Sequence, residues 1–112
     1  MEKMTDEAAE PPQGDLCFDD LLIRPRLRLV EREGVSIALS AYDFDLLYFL
    51  ASHPREVFTR EELLNLVWHY AYIGDTRTVT VQMSRLRKKV ETDPTHPHHL
   101  RTVWRVGYKF MP

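Results

Sequence analysis

Two short signatures divide this chain and limit what it can become. Ser40-Ala41-Tyr42-Asp43 and Thr59-Arg60-Glu61-Glu62 each place a hydroxyl residue three positions before an acid. That spacing lets the hydroxyl accept from the backbone N–H of the acid while the acid reaches back to the first N–H, so each signature starts a helix. The spacing Phe44, Leu47, Tyr48, Ala51 continues the first start as one helical face, and Pro54 disfavours helix at His53. Leu63, Leu64 and Val67 continue the second start, to about Trp68. Leu39 and Phe44 bracket the first cap as apolar staples, and Phe58 and Leu63 bracket the second. Two short capped helices with a turn between them are therefore expected.

The segment before Ser40 has a different period. Leu16-Cys17-Phe18 and Leu21-Leu22-Ile23 flank the turn-like pair Asp19-Asp20. Leu27 and Leu29 alternate with Arg26 and Arg28, and Val35, Ile37 and Leu39 alternate with Ser36 and Ala38 across Gly34. Alternation with turn residues between runs predicts a small antiparallel sheet with one buried face. Cys17, in an apolar run, reads as a small hydrophobe.

A third helix is expected from about Asp75 to Glu91, before Asp93-Pro94. Val79, Met83, Leu86 and Val90 fall in a narrow arc at 100° per residue and face the core. Arg77, Val81, Ser84, Arg85 and Lys88 then project from the opposite side, flanked by Thr80, Gln82, Arg87 and Lys89. This face is basic and rich in hydrogen-bonding groups, and it includes one outward β-branched residue. Such a face suits a major groove, where Arg reaches guanine, Val packs on a thymine methyl, and Thr, Ser and Gln serve phosphates or base edges. The plain alternative is a solvated helix with scattered cations. Leu100 to Phe110, rich in Val, Trp, Tyr and Phe with Gly107 near its turn, predicts a hairpin carrying Arg101, Arg105 and Lys109.

The charge distribution supports the same division. The 112 residues have a net charge of -2. Residues 1–74 hold 7 Lys/Arg against 14 Asp/Glu, whereas residues 75–112 hold 8 against 3, so a balance of -7 gives way to +5. What a polyanion meets is the local field of one face, not the sum.

Several classes are excluded or disfavoured. No apolar run approaches the ~18 residues of a membrane span. Residues 1–14 are polar and contain Pro11, Pro12 and Gly14, which fits a tail or linker and not a signal peptide. Residues 1–15 are therefore read as a flexible segment and residues 16–112 as one α+β domain. One cysteine allows no internal disulfide or multi-cysteine zinc site, which fits a reducing, cytoplasmic setting. His96, His98 and His99 around Pro97 lack further ligands at metal-site spacing, so a solvated loop and no metal is expected. No nucleophile–base order, phosphate loop or carboxylate pair marks an enzyme, and no cofactor is expected.

Four segments in order carry a resemblance: Leu39-Ser40-Ala41-Tyr42-Asp43-Phe44-Asp45-Leu46-Leu47; Val57 to Leu64 with Val67-Trp68; Gly74 to Glu91; and Thr102-Val103-Trp104-Arg105-Val106-Gly107-Tyr108-Lys109-Phe110. Residues 16–112 resemble the C-terminal effector domain of OmpR/PhoB-type two-component response regulators. The resemblance implies a winged helix-turn-helix: an N-terminal four-stranded antiparallel sheet, a three-helix bundle and a C-terminal β-hairpin wing. It implies sequence-specific binding of double-stranded DNA in transcription regulation. By the same resemblance, Trp68, Arg77, Thr78, Thr102 and Tyr108 hold phosphates, while Thr80, Val81, Gln82, Ser84, Arg85 and Arg87 line the major groove. The wing reaches the minor groove. The loop His69-Tyr70-Ala71-Tyr72-Ile73 is the surface offered to RNA polymerase, or else folds back on the core. A second copy on an adjacent half-site and a sensor kinase acting through a receiver domain complete the implied partners.

Two departures stand out. Where family wings often place Arg then Gly before Val-Gly-Tyr, this chain has Trp104 then Arg105, so the minor-groove cation shifts to Arg105 or is replaced by Trp104. Nothing in residues 1–38 supplies a receiver unit of ~100 residues, which leaves an effector domain of a larger regulator or a stand-alone protein. The rival from another class is a winged-helix protein-interaction module without nucleic acid.

Overall fold

The computed structural model describes residues 14–68 and 76–112. Strands β1 (Leu16–Phe18), β2 (Leu21–Arg24), β3 (Leu29–Arg32) and β4 (Val35–Ile37) form an antiparallel sheet in sequential order. Leu21, Ile23 and Val30 point into the core and are almost fully buried. Glu33 and Gly34 both take positive φ (53° and 79°) between the paired Arg32 and Val35. Two successive left-handed residues are what a type I′ hairpin turn requires, and glycine fills the second at least cost.

Three details differ from expectation. The third strand begins at Leu29, and Leu27 is 65% exposed. Pro25 opens a turn closed by Arg28 N–H to the Pro25 carbonyl at 3.1 Å, with Arg28 at φ 50°. The turn breaks the alternation before it reaches Leu27. Cys17 is exposed, because the pleat that turns Leu16 and Phe18 inward turns Cys17 out. Val35 is also exposed on the edge strand.

Helix α1 (Ala41–Ser52) begins at the expected capping box: Asp43 N–H donates to Ser40 Oγ at 3.1 Å, and Ser40 N–H to Asp43 Oδ2 at 3.3 Å. It is more deeply embedded than its one predicted face, since Leu46 and Leu50 are buried along with Phe44, Leu47 and Ala51. Two residues, β5 (Phe58–Thr59), then lead into α2 (Arg60–Trp68) through the second capping box, with Glu62 N–H to Thr59 Oγ1 at 3.1 Å and Thr59 N–H to Glu62 Oε1 at 2.8 Å.

Helix α3 (Arg77–Val90) is slightly shorter than its expected span. It ends before Asp93-Pro94 because Glu91 leaves the helix in an extended conformation and turns its carboxylate onto the chain that follows. That carboxylate accepts from the N–H groups of His98, His99 and Leu100 at 2.7–3.3 Å. The chain returns as β6 (Leu100–Val103) and β7 (Gly107–Phe110), and β5 adds to the outer side of β7 to give the order β5-β7-β6. Gly107 is required there by space: a Cβ would lie 1.9 Å from the Phe58 carbonyl oxygen. Leu63, Val79, Met83, Leu86, Val90, Leu100 and Phe110 join the buried residues of α1 and the first sheet in one core.

Candidate nucleic-acid interface

The core stripe of α3 is as the spacing predicts: Val79, Met83, Leu86 and Val90 are 0–1% exposed. The outward side follows from that anchoring. Arg77, Thr78, Thr80, Val81, Ser84, Arg85, Lys88 and Lys89 are exposed, with Val81 at 51%. Thr80 Oγ1 accepts from Arg60 Nη1 of α2 at 3.0 Å, which braces the two helices across the turn.

Gln82 and Arg87 lie on the flanks and are engaged with the scaffold. Gln82 Nε2 donates to Asp43 Oδ1 at 2.5 Å, and Lys89 Nζ reaches Asp43 Oδ2 at 2.7 Å. Asp43 therefore caps α1 and grips α3 with one buried carboxylate. Burial alone pushes this carboxyl up. Hydrogen bonds from Lys89, Gln82 and the Ser40 N–H, with the Lys89 charge, outweigh it and hold the carboxyl below its ordinary range. Sequence reading took Asp43 as a cap alone. Its burial has no local signature, because the partners lie on another helix.

On the other flank, Arg87 spans the gap to the hairpin. Its Nε donates to the Leu100 carbonyl at 3.0 Å and its Nη2 to Thr102 Oγ1 at 2.7 Å, while the guanidinium carbon lies 5.6 Å from the centre of the Tyr108 ring. Burial draws the guanidinium below the ordinary arginine range, partly offset by Tyr108 and Glu91. Arginine stays charged regardless. Tyr108 is buried and Thr102 exposed.

At the hairpin tip, Val106 N–H closes a turn on the Val103 carbonyl at 2.9 Å. Trp104 is 85% exposed, and Arg105 is exposed with φ 65°. A positive φ at the second central position is where a type II turn takes glycine, so Arg105 occupies a glycine-like backbone site. A groove runs from the tip to the start of α2, lined by Arg60, Glu61, Thr102, Trp104, Arg105 and Val106. Trp68, half-buried at the end of α2, stands edge-on to Tyr42 with ring centres 6.1 Å apart, and its indole N–H has no partner among the described residues. His69, Tyr70, Ala71, Tyr72 and Ile73 lie outside the described residues, as does Asp75.

Helices α1 and α2 start with satisfied boxes, whereas α3 starts at Thr76 with no side-chain cap and no acid in its first turn. Such an end presents N–H groups and a positive partial charge. Among the described residues, no helix is long and apolar enough to cross a membrane.

A sheet, three helices with the last presented outward, and a hairpin beside it define a winged helix-turn-helix. Residues 34–110 match the family model described as transcriptional regulatory protein, C terminal, and the chain belongs to that family, in its OmpR/PhoB branch. Among solved structures, it is similar to the DNA-binding domain of RstA from Klebsiella pneumoniae, solved in complex with an RstA box. The TM-score is 0.80 and the identity 39%, covering 87% of this chain and 96% of that one. It is similar to the response regulator DrrB from Thermotoga maritima (TM-score 0.81, 36% identity, 88% of this chain), of which it spans 45%. It is also similar to the DNA-binding domain of CpxR from E. coli (0.75, 27%), covering 91% of this chain and 97% of that one.

Proposed function

We propose that this chain binds double-stranded DNA sequence-specifically, as the effector domain of a two-component transcriptional regulator, and acts by binding and not by catalysis. The observation that carries the reading is the outward face of α3. It sets an exposed Val81 among Arg85, Ser84 and Lys88 on a helix anchored from both flanks. Arg85 and Val81 read base edges. Thr80 and Ser84 serve edges or phosphates. Arg77, Thr78 and the uncapped end of α3 hold one strand, beside Trp68, whose buried indole N–H would have to be uncovered to reach a phosphate. Thr102 and the buried Tyr108 lie toward the backbone, and Arg105 or Trp104 enters the minor groove. Gln82 and Arg87 hold the helix in register as well as lining the groove.

The similarity to the RstA domain bound to its DNA box supports this reading. In the parent regulator, a receiver domain phosphorylated by a sensor kinase would govern the domain in the cytoplasm. Residues 69–73 would face RNA polymerase, and a second copy would occupy an adjacent half-site. Residues 1–15 would be the connecting segment.

The test is selection of bound duplexes from a randomised pool at physiological salt. Enrichment of a short motif, repeated at about one helical turn, is the expected result. Retention without enrichment would leave phosphate-driven binding alone. No retention even at low salt would overturn the DNA reading in favour of a protein-interaction module.

A further inference from the structure

Away from the α3 face, the turn between β1 and β2 meets the loop that precedes β6. One ligand atom each from Asp19, His98 and His99 lies within 4.8 Å of the others. We propose that these three residues form a site for a divalent transition-metal ion of the zinc class. Two imidazoles and a carboxylate are the donor set such ions prefer over magnesium or calcium.

One pair of donors already stands near ligand spacing, and the exposed Asp19 and His98 side chains close the wider separations around an ion. His98 Nε2 and Asp19 Oδ2 are 3.6 Å apart. Bonds of ~2.1 Å at a tetrahedral ion separate two ligands by about 3.4 Å. His99 is already oriented. Its Nδ1 lies 2.7 Å from the Met111 carbonyl, which can only accept, so Nδ1 is the donor there and Nε2 is the ring nitrogen that would ligate. A histidine whose second nitrogen donates to a carbonyl is the usual support for a metal ligand. The ring is further fixed by stacking on Phe110, with centres 5.2 Å apart and planes at 9°, and its backbone N–H is held by Glu91.

The three donors open on a cleft of about 360 Å3, with room for several waters. Asp20 and Asp93 line it and add negative charge, and His96 lines it beside Asp93. Arg32 lines it too and brings one positive charge, with its Nη1 donating to the Val90 carbonyl at 3.1 Å. Solvent completes the coordination. The ion joins the first sheet to the entry of the last hairpin, two segments far apart in sequence, which is why histidine spacing alone shows no site. The proposal stands whether or not α3 meets DNA.

The experiment titrates tag-free protein with Zn2+ by calorimetry and with Co2+ by visible absorption, at neutral pH, and repeats both with Asp19→Asn and His98→Gln. Both side chains are exposed, so circular dichroism of the variants should match the parent. One equivalent bound, a Zn2+-dependent rise in melting temperature, and at least about tenfold weaker binding in each variant are expected. No saturable binding by roughly 100 µM metal would overturn the site. Binding undiminished in both variants would also overturn it, by placing the ion on other histidines.

Discussion

Among the described residues, two small antiparallel sheets are alike in their cores and opposite at their tips. In the first, Leu21, Ile23 and Val30 face inward, and the two turns at one end carry Asp19-Asp20 and Glu33-Gly34, while the basic turn of residues 25–28 lies between β2 and β3. In the second, Leu100, Tyr108 and Phe110 face inward and the turn carries Trp104-Arg105-Val106. Each is tied to α3 by an arginine–carbonyl hydrogen bond, Arg32 to Val90 and Arg87 to Leu100. Burial thus decides where a ladder lies, and tip chemistry decides what it can meet. An acidic rim repels a polyanion. A tip with a cation and a large exposed ring attracts one.

The largest way to break this comparison is Gly107→Ala. Its Cβ would overlap a backbone carbonyl that cannot swing aside, so β5 and β7 must separate. We expect a loss of roughly 4 kcal/mol or more by denaturant unfolding. Arg87→Ala comes next. It removes two hydrogen bonds and a ring contact, for about 2 kcal/mol of stability, and it should weaken DNA binding as well. Arg32→Ala, its counterpart in the first sheet, should leave DNA affinity unchanged; equal affinity losses would erase the distinction between the sheets.

Asp43→Asn tests the helix both sheets rest on, and should cost roughly 1–2 kcal/mol near neutral pH. The folded carboxyl is held below its unfolded value, so its stabilisation is present above the unfolded pKa and is lost as pH falls through the folded one. The gap between parent and variant should therefore close in acid, as thermal melts across pH would register. Gly34→Ala should cost about 1 kcal/mol, because the site has room but a positive φ. A loss comparable to that at Gly107 would mean the two glycines are not there for different reasons. Trp104→Ala is the smallest, within about 0.5 kcal/mol of parent stability given its exposure. Its effect should appear in DNA affinity alone, measured by fluorescence anisotropy.

Features legible in the sequence were the local ones. Both capping boxes, the core stripe of α3 and the Gly34 turn are encoded within a few residues of where they act. Leu27 was misread because alternation was counted across Pro25, whose turn ends the pattern. The pairing of Phe58-Thr59 with β7 escaped because two residues have no period to detect. Gln82 and Arg87 looked like groove residues by angle, and only the packed structure shows each also gripping a neighbour. The same limit hid Asp43 as a clasp and Asp19 as a neighbour of His98.

The bridge made by Arg87 has a consequence on the proposed function. A helix and hairpin locked together form a stiff caliper, whose two jaws keep a set separation. Of the two bodies in such a complex, the duplex is then the one that yields. Sequences that narrow or kink cheaply between the jaws gain affinity at base pairs no side chain touches. The operator would carry a preference written in flexibility as well as in base edges.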